Sequence, residues 1–238
     1  MLGRLLEISV YAPEILESLA FYEKLGFSQA QVGETWPHPY AVVTDGRLFI
    51  GLHKYRFDSP SLTWVQPGLA QRLPEIEALG IELAFSRTGN DVFNEAGFTD
   101  PNGQMITVLE ARTYSPPGRR PTATSRLGWF EEFALPARDL QASREFWERL
   151  GFATAEEGDE PFPHVSMTSD SLNVALVSNR DLDRPALVFA EPDMGERIAR
   201  LAEAGWELSH DLPRALDRGR NALLVAPEGT RLLLTTGG

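Results

Sequence analysis

Cysteine is missing altogether from this 238-residue chain, which excludes disulfides, thiolate metal sites and a cysteine nucleophile. Long apolar runs are missing too, and none reaches the roughly eighteen residues of a membrane-spanning helix. The opening MLGRLLEISV lacks the charged start and extended apolar stretch of a secretory signal. Together these absences lead to the expectation of a cytoplasmic protein with no membrane partner. Basic residues are scarce, 22 Lys and Arg against 34 Asp and Glu, for a net charge of −12. That balance argues against a nucleic-acid partner, which needs clustered cations. The one basic pair, Arg119-Arg120, sits in the Pro-, Ser- and Thr-rich stretch YSPPGRRPTATSR and reads as linker. There is no glycine-rich phosphate loop and no serine nucleophile elbow.

What is present is a doubled pattern. EISVYAPEILESLAFYEKLGF, from Glu7 to Phe27, returns in plan as EEFALPARDLQASREFWERLGF, from Glu131 to Phe152. Glu7 to Glu132 and Phe21 to Phe146 each span 125 residues, and each glutamate precedes its helical Phe by 14. Gly80 and Gly205, Pro67 and Pro192, and the turns DPNG and PEG repeat at nearly the same offset. The organisation expected is a first module over 1–112, a linker over 113–126 and a second module over 127–238.

In the first module, Leu6, Ile8 and Val10 alternate with Glu7, Ser9 and Tyr11 as on a half-buried strand. Pro13 and Glu14 open a helix that carries Ile15, Leu16, Leu19, Phe21, Tyr22 and Leu25 and stops at Gly26. Tyr40–Thr44 and Leu48–Lys54 flank the hairpin dipeptide Asp45-Gly46. Glu75–Leu79 reads as helix, and Gln104–Glu110 as a strand after the DPNG turn. The second module repeats the order: strand Trp129–Leu135, helix Leu140–Leu150, a turn at Asp170-Ser171, helix Met194–Ala204, a WEL strand just before His210 and strand Arg231–Thr235. Each module is then β-α-β-β-β with an extra helix before its last strand, an α+β chain.

The FY-x-x-LGF block (Phe21, Tyr22, Leu25, Gly26, Phe27), its counterpart Phe146, Trp147, Leu150, Gly151, Phe152 and the two turns resemble the vicinal oxygen chelate superfamily. That group includes glyoxalase I, extradiol dioxygenases and bleomycin-resistance proteins. The resemblance implies a glyoxalase-like fold in which two tandem βαβββ modules form a pseudo-dimeric cup. It also implies a divalent metal held by first- and last-strand residues, which fall here on Glu7 and Glu132 and on Thr107 and Leu233. Only two of those four positions carry carboxylates; Glu110 lies on the opposite strand face. One Mg, Mn, Ni, Zn or Fe ion is therefore one reading, and a degenerate site with no metal is the other.

From the residues alone, His53 shares the cup face with Phe49 and Gly51 and is a candidate third ligand. Glu7 and Glu132, as carboxylates crowded without metal, are candidate acid–base groups. A structural pairing of these glutamates with Arg231 stands beside that reading. Tyr11, Trp36, Phe49, Trp64, His38, His164, Thr107 and Arg231 are candidate ligand contacts, with Tyr40 and Phe93 as further aromatics, and the polar segment 86–98 has the make of a loop closing over a cleft. Three functions remain open: a small-molecule binder like the bleomycin-resistance proteins; a metal-dependent lyase, isomerase or dioxygenase acting on vicinal oxygens; and a protein-interaction scaffold. As a pseudo-dimer the chain is expected to be a monomer or a homodimer.

Overall fold

The computed structural model describes residues 2–31, 36–111, 124–209 and 211–237. The first half runs β1 (Arg4–Tyr11), α1 (Ile15–Lys24), β2 (Ser28–Gln29), β3 (Tyr40–Thr44), β4 (Phe49–His53), β5 (Ser61–Val65), α2 (Leu69–Ala78), β6 (Leu83–Arg87), β7 (Glu95–Thr99) and β8 (Met105–Leu109). The second runs β9 (Trp129–Pro136), α3 (Leu140–Arg149), β10 (Ala153–Gly158), β11 (His164–Thr168), β12 (Asn173–Val177), β13 (Ala186–Ala190), α4 (Met194–Glu203), β14 (Ala222–Val225) and β15 (Arg231–Thr235). The α+β, glyoxalase-like architecture of two repeated halves is as expected. Most of the expected linker lies outside the described residues. Its end is tied to the first half, with Thr124 N bonded to Asp45 O and Arg126 N to Leu25 O.

The repeat is finer than the sequence spacing suggested. Each half is itself two consecutive β-α-β-type units, joined where β1 pairs antiparallel with β5 and β9 with β13. The first sheet has eight strands in the order β2-β3-β4-β1-β5-β8-β7-β6. The second has seven, β10-β11-β12-β9-β13-β15-β14, because the counterpart of β6 is reduced to a single bridge, Ser209 to Leu223. No strand of one sheet pairs with the other among the described residues. The expected WEL strand is irregular chain leading to that bridge, and His210 lies outside the described residues. The second helix of the first half starts at Leu69 and carries Pro74 inside it. Proline reads from sequence as a helix opener, so the first turn was missed. Both hairpins exist but turn over four residues; Asp45 Oδ1 accepts from the backbone N–H of Arg47 and of Leu48, both at 2.9 Å.

Strand alternation sends Ile8, Val10, Ile50, Leu52, Leu62 and Trp64 to the helix-backed core, which runs continuously through both halves. The halves meet through reciprocal clasps of helix on turn. Ser18 Oγ and Tyr22 Oη of α1 both donate to Glu228 of the PEG turn at 2.7 Å. In mirror fashion, Asn102 Nδ2 of the DPNG turn donates to Ser143 Oγ of α3 at 2.8 Å. Phe21 packs edge-on against Trp206, Phe27 against Phe189 and Phe98 against Phe146. The repeated helix and turn motifs are thus the surface that joins the halves. Burial, and after it the Glu228 charge, hold the Tyr22 hydroxyl well above its ordinary range, so it stays a donor.

Removing that donor leaves Glu228 with Ser18 alone. Hydrogen bonds to charged groups contribute about 1.5–3 kcal/mol, and Tyr22→Phe is expected to lower the urea-unfolding free energy by about 2 kcal/mol.

Candidate functional site

The inward face of the first sheet is polar. Glu7 and His53 are only 3% and 2% exposed, and Ser9, Ser61 and Thr63 are equally buried. A buried carboxylate must be hydrogen-bonded or paired, and Glu7 is both. Ser9 Oγ donates to Glu7 Oε1 at 2.8 Å, and His53 Nε2 lies 2.7 Å from the same oxygen. On its other side His53 Nδ1 lies 3.0 Å from His38 Nε2. Ser9 and Thr63 hydroxyls meet at 2.8 Å, as do those of Ser61 and Thr107. A line of groups therefore runs from the floor to the mouth of the cup: Thr63, Ser9, Glu7, His53, His38.

Strand register explains this placement. Tyr11 stands beside His53 and Ser9 beside Gly51 on the parallel β1–β4 pair, and Glu7 sits across from Thr63 on β5. Gly51 is required by the close approach: a Cβ built there would lie 2.1 Å from Glu7 Oε1. The ring of Tyr40 stacks on His53 with an interplanar angle of 7°. Trp36 meets His53 edge-on and also touches Phe93. The cleft above the line encloses about 650 Å³ and is bordered by Trp36, Tyr55, Phe57 and Phe85. Burial, followed by the neighbouring His53, lowers the His38 pKa from its ordinary value, with Glu7 opposing. The shift favours the neutral ring of His38, whose free nitrogen lone pair can accept a hydrogen bond.

Apart from Glu132 at the Glu7 position, the second sheet gives these positions apolar residues. Ala134 lies beside Ala175 and across from Ala186, where the first sheet has Ser9, Gly51 and Ser61. Val177 stands where His53 does. Val188 and Leu233 replace Thr63 and Thr107. Together with Leu182, Leu212, Leu223, Phe162 and Leu216 these residues form a separate apolar cluster. Leu212 and Leu216 come from the chain between α4 and β14, which folds over the second cup instead of supplying an edge strand.

Glu7 and Glu132 consequently do not face a common hollow. The halves join through their helices and turns, so each carboxylate sits on its own sheet. Glu132 accepts from Ser166 Oγ at 3.3 Å. Burial pushes its carboxyl up to about 7, against the Ser166 hydrogen bond and with Glu131 adding to the rise. His164, beside it, bonds Phe162 O through Nδ1 at 3.0 Å. Arg231 pairs with Asp183 at 3.1 Å rather than with a glutamate. Trp64 is core, because the alternation that turns Ser61 and Thr63 inward turns Trp64 to the helices. Tyr11 and Phe49 line two other depressions between the halves. Glu110 is outside the cup, accepting from Asn94 Nδ2. The segment 86–98 does border the cleft at Ser86, Arg87 and Glu95.

A catalytic transition-metal site presents three protein donors converging on one point. Among the described residues no group of three His, Asp or Glu is so arranged. His53 has both ring nitrogens engaged along the line, and the remaining floor groups are Ser and Thr hydroxyls, which are poor ligands. This donor set does not fit the metal that the superfamily resemblance implies. The sequence reading missed that His38 and His53 are adjacent. Their separation is set by the β3–β4 hairpin, whose register pairs Tyr40 with His53.

Residues 126–232 match the model of the Glyoxalase/Bleomycin resistance protein/Dioxygenase superfamily. The whole chain superimposes on solved extradiol-type dioxygenases. A catechol 2,3-dioxygenase aligns with a TM-score of 0.60 at 14% identity, over 99% of this chain and 90% of that one. Homoprotocatechuate 2,3-dioxygenase from Brevibacterium fuscum gives 0.63 at 16%, over 97% and 70%. The 2,2',3-trihydroxybiphenyl 1,2-dioxygenase of Sphingomonas wittichii strain RW1 gives 0.60 at 13%, over 99% and 91%. No curated protein matches. Identities this low carry the fold and not the reaction.

Two outcomes follow. Gly51→Ala forces Glu7 away from His53, at a cost of about 1–3 kcal/mol; adding Glu7→Ala restores part of that loss, measured as a double-mutant cycle in urea. For Glu132 the folded pKa, about 7, lies above the ordinary 4.5. The unfolded chain therefore loses this proton first, and stability falls as pH rises from about 4.5 to 7. Glu132→Gln removes that fall, so the variant gains on the wild type across this window in thermal melts.

Proposed function

Residues 126–232 belong to the glyoxalase/bleomycin resistance protein/dioxygenase superfamily and the rest of the chain repeats their fold; on that footing we propose that the protein binds a small planar molecule in the cup of its first half, without a metal. The observation that carries this reading is the contrast between the cups. One is open, polar at its floor and aromatic at its rim, while the other is filled by its own chain. A cleft of about 650 Å³ is in the range of small-molecule sites. Aromatic rims suit flat ligands through offset or edge-to-face contact. Glu7, Ser9, His53 and His38 supply oriented hydrogen bonds below. The second half acts as a scaffold that backs the first.

A metal-dependent lyase, isomerase or dioxygenase is the second reading. Glu7 occupies the first-strand position that the resemblance assigns to a ligand, and the similar solved structures are named as dioxygenases. The donor set around Glu7 weighs against it. Because the pseudo-twofold contact is internal to the chain, a monomer is the simplest assembly. No described helix is long and apolar enough to cross a membrane, and the cysteine-free composition supports a cytoplasmic location.

Titration with para-nitroanisole, a flat neutral probe, is expected to quench Trp36 emission, with the quench lost in Trp36→Phe. Fe²⁺ or Mn²⁺ is expected to leave the thermal midpoint unchanged. Metal-dependent stabilisation that disappears in Glu7→Gln would instead establish the second reading.

A further inference from the structure

Resting on the reading above, we propose that the line Glu7–His53–His38 is a metal-free proton relay, and that the cup's ligand is a flat weak acid which gives its proton to His38 Nδ1 on binding. A carboxylate only accepts, so His53 Nε2, at 2.7 Å from Glu7 Oε1, carries hydrogen toward it and His53 Nδ1 holds a lone pair. His38 Nε2, 3.0 Å from that lone pair, must be the donor. This leaves His38 Nδ1 as an acceptor, and it has no hydrogen-bond partner among the described residues. The tautomer of both rings is fixed from the buried end, the logic by which a buried carboxylate orients an imidazole in hydrolytic triads.

The transfer balances without any co-reactant. The acid O–H of the ligand breaks and its proton bonds to His38 Nδ1. The Nε2 proton of His38 passes to His53 Nδ1. His53 then holds two protons as an imidazolium against Glu7, and the ligand is left as an oxyanion accepting from His38 Nδ1–H. The new cation is paired where it forms, two rings below the ligand, and no third protein donor is needed. Reversal of the same steps returns the proton, to the same atom or to a conjugated one. Of the charged groups bordering the cleft, Arg87 is paired with Glu95, while Arg56 and Asp58 stand at the mouth. Tyr55 stacks on the His38 ring at 5.2 Å and Trp36 lies 5.6 Å from it, and all three line the same cleft.

The probe is para-nitrophenol, whose anion absorbs in the visible and whose neutral form does not. It is added to the intact chain below its own pKa. The expected result is the anion spectrum on binding, with binding about tenfold weaker in His38→Gln, the size of one hydrogen bond to a charged group. His38 is a half-buried rim residue, so this variant tests the relay without loading the core; His53→Gln is expected to behave the same way. The methyl ether para-nitroanisole, which has no proton to give, is expected to lose less affinity in both variants than para-nitrophenol does, and an equal loss for the two probes overturns the relay. Binding of para-nitrophenol in its neutral form overturns the relay and leaves the binding site standing, as does an anion spectrum undiminished in both variants. Failure of both probes to bind overturns the site and the relay together.

Discussion

A carboxylate buried to within 3% of complete enclosure is the constraint from which the rest of the first half follows. Glu7 cannot sit on the inner face of a sheet without donors around it. Each donor it has is placed by a different strand. Ser9 comes from its own strand and His53 from β4, while Thr63, across on β5, supports Ser9. Gly51 is the vacancy that lets the carboxylate lie flat. A half-satisfied polar network is worse than an apolar floor, so these residues stand or fall together. The second sheet shows the other solution: Ala134, Val177, Val188 and Leu233 need no partners, the cup closes on apolar chain, and the one carboxylate kept there, Glu132, has its pKa raised by burial.

Duplication has therefore divided the work. Both halves keep the helix and the turn that clasp the other half, Ser18 and Tyr22 on Glu228, and Asn102 on Ser143. These contacts are reciprocal, which is why the corresponding motifs survive in both copies. The cup floor is under no such mutual demand. One copy has a polar floor there, and the other has apolar packing at every equivalent position except Glu132. The half that matches the superfamily model, over 126–232, is the half whose cup is closed.

Much of the fold was legible because its signals are local. The repeat of Glu7 and Glu132, the glycines after α1 and α3, and the strand beginning at Arg231 all fall where the pattern put them. The strands β5–β7, β13 and β14 were not seen. β5 carries a mix of polar and apolar residues suited to facing both a cup and a core, β13 is a short unbroken apolar run that has no alternation to mark it as a strand, and β6 is largely exposed. The site was half legible. Glu7 and His53 were singled out, but their contact spans 46 residues and His38 joins them only through hairpin register. Pairing Glu7 with Glu132 was the wrong inference from the right repeat: equal spacing shows that two residues are equivalent, not that they meet. Thr107 and Leu233 held the clue, since one copy was polar at that position and the other was not.

The most direct measurement of this account is long-range ¹⁵N–¹H correlation of the histidine side chains in the ligand-free protein at neutral pH. The account predicts neutral rings for His38 and His53, both protonated at Nε2, with a His53 Nε2–H protected from exchange by Glu7 and unaltered by added Mn²⁺ or Zn²⁺. A His53 protonated at Nδ1, or one whose signals move or broaden on stoichiometric metal and recover on chelation, would contradict it.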